Sequence, residues 1–138
     1  MTRREGWERR LQDVVQAAQV RHYELGKHDC FRFACAAVEA LTGEDRWAEW
    51  AGRYVTRHRA LRLLHEYGGG GFTEAFNKFF GAEPVVRGRA RRGDVLEYVD
   101  AAGEQHLGVS IGANVAVLGE AGLAFVKLSQ CRHAWRVG

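Results

Sequence analysis

The hydrophobic pattern of this 138-residue chain changes once, near its single proline, Pro84. Before Pro84, apolar residues recur at every third or fourth position, which is the period of helices that bury one face. After it, short segments rich in Val, Ile and Leu alternate with glycine-containing turns, as antiparallel strands do. Helices followed by such a sheet define the α+β class. The length suits one domain over residues 1–138, with a helical half over about 1–82 and a sheet half over about 93–138.

Local signals set the predicted ends of four helices and five strands. The helices cover residues 2–20, 30–41, 57–67 and 72–80, and the strands cover residues 94–99, 105–111, 115–118, 123–128 and 133–137. Thr2 and Glu5 match a capping box for the first helix, whereas Asp29 stands at the N-cap of the second. Gly43, directly after Thr42, gives the second helix a left-handed stop. The turn spacing between the strands is typical of a β-meander.

Composition and charge disfavour several functional classes. The formal net charge of +3 at pH 7 permits a polyanionic partner without requiring one. Two arginine clusters are interpreted as solvated surface rather than as a nucleic-acid site; they comprise Arg3, Arg4, Arg9, Arg10, Arg87, Arg89, Arg91 and Arg92. No apolar run is long enough to cross a membrane, and the N-terminal residues lack the apolar stretch of a signal peptide. We therefore expect no nucleic acid, no membrane insertion and no cofactor.

Cys30 is the cysteine whose position suggests chemistry. The three cysteines, an odd number without a C-x-x-C pair, predict free thiols in a reducing compartment. Cys30 falls in the first turn of the second helix, where backbone N–H groups and the helix dipole favour the thiolate that attacks in acyl transfer. The alternative is a small core residue, the interpretation favoured for Cys35 and Cys131. A metal site built from the three cysteines and a histidine is a further alternative, although their spacing matches no zinc signature.

His106 is the best candidate for the base that a nucleophilic cysteine needs. It opens the predicted strand HLGVSIG, where it faces opposite to Leu107, and Gly108 on its own face leaves space for a close approach. The alternative is a strand-end histidine that faces solvent. Four other histidines are interpreted as connector or solvated residues: His22, His28, His58 and His65.

Two blocks of the chain resemble the NlpC-type cell-wall cysteine peptidases. The first, YELGKHDCFRF over residues 23–33, resembles their nucleophile motif, a Tyr and a Gly followed by Asp-Cys at the start of a helix. The second combines the Gly-Asp-Val of residues 93–95 with the histidine strand over 106–112, in the family's order. The whole layout, with its closing AWRV, is further similar to small proteins encoded in phage tail gene modules and gene transfer particles. The resemblance implies a papain-like, NlpC-type α+β fold with helices packed on an antiparallel β-meander.

The resemblance also implies roles for individual residues. Cys30 would be the nucleophile and His106 the general base. Tyr23 would lie beside the oxyanion site, and Asp29 would cap the helix of the nucleophile. No cofactor and no metal ion are implied.

Two positions depart from the family pattern. The third polar residue, which orients the histidine, belongs on the next strand, but residues 115–118 of this chain are apolar. Glu120 and Ser110 are the nearest polar substitutes, and neither fits well. Phe31 occupies a position where many active relatives have a small Ser, so we expect a narrower cleft.

The function implied is that of an endopeptidase or amidase that cuts peptidoglycan peptides at a phage tail tip. Cys30 would form an acyl-enzyme while His106 takes the thiol proton and returns it to the departing amine. Such a protein would be made in the bacterial host cytoplasm, reside in the virion and contact tail-tip or hub proteins. The alternative is a structural tail-tip subunit with weak or lost catalysis. The missing third residue favours it, and exposure of the aromatic residues Trp47, Trp50 and Tyr54 would favour it further.

Overall fold

The computed structural model describes residues 2–138, which form four α-helices and one six-stranded sheet. The helices are α1 (Trp7–Val20), α2 (Cys30–Thr42), α3 (Arg57–Gly68) and α4 (Phe72–Phe80). The strands are β1 (Val85–Val86), β2 (Val95–Val99), β3 (Gln105–Ser110), β4 (Val115–Gly119), β5 (Gly122–Val126) and β6 (Cys131–Trp135). Every pair of neighbouring strands is antiparallel, so the predicted α+β class is confirmed.

The strand order β1-β6-β2-β3-β4-β5 differs from the predicted meander. The strands β2 to β5 do follow one another as hydrogen-bonded neighbours. The last strand, β6, instead returns across the sheet to pair with β2, and β1 pairs with β6. The sequence analysis missed β1, because a two-residue strand is too short to show an alternating pattern.

Of the two helix caps predicted from the sequence, one is confirmed and the other is wrong. Asp29 caps α2 and Gly43 ends it with a φ of 82°, both as predicted. The first helix begins only at Trp7, after Gly6, and has no side-chain cap, so the capping box of Thr2 and Glu5 was wrong. The residues before Gly6 are held by other partners, because the N–H of Arg4 donates to the carbonyl of Leu41 at 2.7 Å.

Part of the arginine surface is structural. The Arg3 guanidinium donates to the carbonyls of Val137 and Arg92 at 2.8 and 2.6 Å and to the buried carboxylate of Asp94 at 3.0 Å. Arg87 donates to two backbone carbonyls near the start of β6. The interpretation as solvated surface was therefore wrong for Arg3, which ties the N-terminal arm to the C-terminus. It is confirmed for exposed residues such as Arg9 and Arg10.

The sheet buries apolar residues on both faces. The main core lies between one face and α2; its strand residues are Val95, Leu107, Val109, Ala116, Leu118 and Trp135. The opposite face holds a second, smaller cluster formed by Leu96, Val115, Val117, Cys131 and Ala134, with Tyr98 packed against it. Since side chains alternate along a strand, His106, paired with Tyr98, belongs to the second face. No helix within residues 2–138 has the length and apolar character needed to cross a membrane.

Candidate active site

Asp29 organises the start of α2. One carboxylate oxygen accepts the N–H of Arg32 at 2.8 Å, which is the N-cap bond. The other accepts the N–H of Gly26 at 2.8 Å and the hydroxyl of Tyr54 at 2.6 Å. The side chain is buried, so these three donors replace the water that an ionised carboxylate requires. Asp29 thus fixes the connector, the helix start and the position of Cys30 in one set of bonds.

Glycine is required in the connector before Cys30. Gly26 has a φ of 85°, in the left-handed region, and a Cβ at this position would collide with the carbonyl oxygen of Tyr54. The backbone of Glu24 and His28 forms an isolated antiparallel bridge around it. The segment before Cys30 therefore forms a tight loop, where the sequence predicted an irregular connector.

The thiol of Cys30 lies against an opening in the sheet. Pairing between β3 and β4 covers only Val109 with Ala116 and Ser110 with Val115. Beyond this point, the N–H of Leu107 has no partner in the β4 ladder, and it lies close enough to the Cys30 sulfur to lower the pKa of the thiol. The N–H groups of Cys30 and Phe31 also act on the sulfur. The thiol therefore sits among three backbone donors, in the first turn of α2 and beside the residue that follows His106.

Burial nevertheless keeps the Cys30 thiol protonated. Desolvation and the nearby charge of Asp29 raise its pKa, whereas the backbone N–H groups of Leu107, Cys30 and Phe31 lower it, and the net value is about 11. The loss of water thus opposes the N–H groups and the helix dipole that favour the thiolate. An activated Cys30 stays a prediction.

Asp100 orients His106. The Nε2 atom of His106 lies 2.9 Å from a carboxylate oxygen of Asp100, and both side chains are mostly shielded from solvent. This hydrogen bond holds the pKa of Asp100 below its usual range, so the carboxylate is ionised and can only accept. Nε2 therefore carries the proton, and Nδ1 of the neutral imidazole is left as the basic atom.

The sequence analysis missed Asp100. The orienting residue was expected on the strand after His106, whereas Asp100 lies in the turn between β2 and β3. Two features could have found it: Asp100 follows Tyr98 by two positions, and Tyr98 is the cross-strand partner of His106. The β2–β3 register thus places all three side chains on one face. Ser110 and Glu120, the substitutes considered from sequence, make no hydrogen bond to His106 within residues 2–138.

Cys30 and His106 line one cleft of about 680 Å³ but are not hydrogen-bonded to each other in the described residues. The imidazole packs against Tyr98, with ring centroids 5.9 Å apart. Cys30 approaches the same strand at the backbone of Leu107. The two side chains therefore reach one strand from different sides, and direct proton transfer needs a movement of the imidazole.

Tyr23 also lines the cleft. Burial raises the pKa of its hydroxyl to about 12, and the charges of Cys30, Asp29 and Glu120 add to the rise. The hydroxyl is therefore a neutral hydrogen-bond donor near the thiol. Phe31 lines the cleft as well, and it packs edge-on against Trp47, Trp50 and Phe79, at centroid distances of 5.8, 5.9 and 5.4 Å.

Several other candidates take structural positions. Trp50 and Tyr54 are buried, so they provide no exposed aromatic surface in favour of the structural alternative. Cys35 and Cys131 are buried in the two separate core clusters, one on each side of the sheet, which excludes a metal site shared by all three cysteines. His58 and His65 are exposed as predicted. His28 is buried instead, with its Nδ1 atom 3.1 Å from the carbonyl oxygen of His22, and burial lowers its pKa.

One group of side chains has the composition of a metal site. The ligand atoms of Asp100, Glu104 and His106 lie within 4.8 Å of one another. Each of the three already has a protein partner, since Asp100 and His106 bond to each other and Glu104 lies 3.4 Å from Arg57. The arrangement is accounted for by ion pairs and hydrogen bonds among protein groups.

Comparisons with known proteins give a family but no activity. No curated protein matches this chain. Residues 2–137, which include the cleft, the cysteine helix and the histidine strand, match the family described as "Domain of unknown function (DUF6950)". The chain therefore belongs to the DUF6950 family.

Proposed function

We propose that this protein is a papain-like cysteine hydrolase of the NlpC type, with Cys30 as the nucleophile and His106 as the general base. The observation that carries the proposal is the surroundings of the Cys30 thiol. It lies in a cleft, at a helix start, where the backbone N–H groups of Leu107, Cys30 and Phe31 favour the thiolate. The strand that contributes Leu107 also carries a histidine already oriented by a carboxylate.

The helix start has two N–H groups free for an oxyanion. The N–H of Arg32 donates to the Asp29 side chain, and that of Phe33 donates to the Asp29 carbonyl. The N–H groups of Cys30 and Phe31 remain, and both are near enough to the thiol to lower its pKa. They would stabilise the negative oxygen of a tetrahedral intermediate formed on the sulfur, with the neutral hydroxyl of Tyr23 nearby.

The reaction would then follow from the protonation states. Nδ1 of His106 takes the proton of the neutral Cys30 thiol as the sulfur attacks the carbonyl carbon of the substrate. The imidazolium, stabilised by Asp100, returns the proton to the leaving amine when the C–N bond breaks, which leaves a thioester. Water, deprotonated by the same nitrogen, hydrolyses the thioester and regenerates the thiol. Substrate binding must bring the imidazole to the thiol, because they are not in contact in the free protein.

The substrate and setting are proposed from the sequence resemblance. Peptide bonds in peptidoglycan are the expected target, and a phage tail tip, next to hub proteins, is the expected location. A protein that acts on the cell wall from a virion would need no cofactor for this chemistry, since the nucleophile, base and oxyanion donors all come from the chain.

The test is digestion of purified peptidoglycan by the full-length protein, followed by mass spectrometry of the released fragments. We expect soluble muropeptides with the wild type, and loss of release with Cys30→Ala and with His106→Ala. Cys35→Ala and His58→Ala are matched controls, because Cys35 lies in the same helix away from the cleft and His58 is exposed and does not line the cleft. Asp100→Asn should lower kcat more than KM, since it disturbs only the orientation of the base. Equal activity of Cys30→Ala and the wild type would refute the proposal.

A structural tail-tip subunit is the second candidate, favoured by a specific observation. The thiol of Cys30 has a pKa near 11, and no hydrogen bond joins it to His106 within residues 2–138. Both features are expected of a protein that has kept a peptidase fold after losing the activity. Normal particle assembly with Cys30→Ala, together with no release of muropeptides by the wild type, would support this candidate over the hydrolase.

A further inference from the structure

The cleft beside Cys30 is itself a partly open cavity with a mostly apolar wall. Its volume of about 680 Å³ falls in the range of small-molecule binding sites. Much of its wall is formed by side chains that are themselves buried in the fold: Trp50, Leu63, Ala75, Phe76, Phe79 and Leu118. The residues that line the cavity come from α2, α3, α4 and β4, so the wall is a feature of the whole fold rather than of one loop.

A space of this kind is unusual in a protein interior. Cores are packed as densely as organic crystals and contain few voids larger than a water molecule. Water gains little in an apolar cavity because it finds too few hydrogen-bond partners, and such cavities bind apolar ligands instead. The wall keeps its shape through contacts among its own aromatic rings, including Phe31 with Phe76 and Phe79 at 5.8 and 5.4 Å. The cavity is therefore preformed.

Two kinds of polar group line the buried part: Tyr54 and Asp29 bond to each other, and the Nε1 of Trp50 has no hydrogen-bond partner within residues 2–138. The other polar lining groups are exposed or partly exposed. Arg57 and Glu104 form an exposed ion pair at 3.4 Å, and Glu120 lies close enough to affect the hydroxyl of Tyr23. Cys30 and His106 line the same region. A ligand that matches this distribution has a polar end at the mouth and a slim apolar chain inside.

We infer that this cavity binds an aliphatic chain, whose polar end lies at the mouth beside Cys30. The driving force is removal of the chain from water, and the protein contributes the preformed apolar wall. Binding of the chain requires no catalysis, so the inference goes beyond the proposed hydrolase. If the hydrolase is also correct, the preferred substrates carry an apolar acyl group next to the bond that Cys30 attacks.

The test uses neutral 1-alkanols from four to ten carbons as probes, with Cys30→Ala protein so that no reaction intervenes. Binding is followed by tryptophan fluorescence, since Trp50 lines the cavity, and by calorimetry. We expect the affinity to rise about fourfold per added methylene until the cavity is full. Affinity that does not depend on chain length, or no binding at all, would overturn the inference. Hydrolysis of peptidoglycan by the wild type in that case would leave the proposed function standing.

Two substitutions locate the site. Ala60→Phe places a ring at the cavity wall and should weaken binding at least tenfold, whereas Ala17→Phe, on the exposed side of α1, should leave it unchanged. Equal affinities of these two variants would contradict the assignment. Leu64→Ala enlarges the same wall and should move the best probe to a longer chain. Circular dichroism and the Tm of each variant check that it is folded. If Ala60→Phe does not fold, the shift in the best probe length with Leu64→Ala provides the test of the site.

Discussion

The protonated state of Cys30 can be measured directly by alkylation. Burial raises the pKa of this thiol from an ordinary 9.0 to about 11. Two pKa units correspond to about a hundredfold smaller thiolate population at neutral pH than in an unperturbed cysteine. Because only the thiolate reacts with iodoacetamide, the reaction rate should rise tenfold per pH unit up to about pH 10 and level off near pH 11. The position of this midpoint does not depend on how easily the reagent enters the cleft.

The assay is the rate of alkylation of each cysteine between pH 6 and pH 11, read by mass spectrometry of the digested protein. Cys35 and Cys131 are internal references, because burial raises their pKa values as well, to about 12 and about 11. The unfolded protein in denaturant gives the ordinary thiol midpoint. A Cys30 midpoint below pH 8 that moves upward in His106→Ala would refute the reasoning, since it would mean a thiolate–imidazolium pair in the free protein.

Three further predictions concern stability, each measured by urea unfolding. Tyr54→Phe should lower the free energy of unfolding by about 1.5–3 kcal/mol, because the lost hydroxyl bonds to the buried, charged Asp29; an unchanged midpoint would contradict this. Glu97→Ala should cost about 3–5 kcal/mol, because the carboxylate is fully buried and paired, and a loss under about 1 kcal/mol would show that the charge is not needed. Gly93→Ala should cost at least about 1 kcal/mol, since its φ of 94° disfavours a Cβ that would also press on Leu41, whereas the open, exposed Gly88→Ala should cost less.

The thiol of Cys30 also links stability to pH. Between the ordinary thiol pKa of 9.0, which applies to the unfolded chain, and the folded value, the folded protein holds a proton that the unfolded chain has released. The free energy of unfolding should therefore fall as the pH rises through this interval. Cys30→Ala should flatten that part of the profile, whereas the buried Cys35 and Cys131 remain to contribute in both proteins.

The features predicted correctly from the sequence are those that depend on residues close together in the chain. The ends of α2 followed from Asp29 and Gly43, since a cap and a left-handed stop act within a few residues of the helix they bound. The same argument failed for Thr2 and Glu5, because Arg3 and Arg4 bond to distant backbone groups and hold the arm away from α1. Local capping signals lose to long-range bonds of this kind, and a single sequence does not reveal those bonds.

The surroundings of Glu97 show why sheet topology was harder to predict. The register of β2 and β6 shifts between Leu96 and Tyr98, so Arg132 and His133 both reach the single residue Glu97. Thr73 from α4 and Gln105 from β3 complete its hydrogen bonds at 2.8 and 3.0 Å. A buried acid with donors from three elements is satisfied only in the assembled fold. The alternating pattern of β6 alone predicts neither the bulge nor the pairing with β2.

The candidate site also has one property that neighbouring residues determine and one that the assembled fold determines. Cys30 could be found from sequence because its position depends on the local helix start, whereas its protonation depends on how much water the whole cleft excludes. The helix start does not ionise the thiol by itself, so any catalysis must draw its driving force from His106. The Nε2 atom of His106 is bound to Asp100, and its Nδ1 atom makes no hydrogen bond within residues 2–138. The side chain, however, lies on the face of the strand opposite to the main core. Activity therefore depends on whether a bound substrate moves the imidazole past the backbone of Leu107 to the sulfur. A substrate chain that fills the apolar cavity would contact this region and could supply that displacement, and an empty cavity would leave the site at rest.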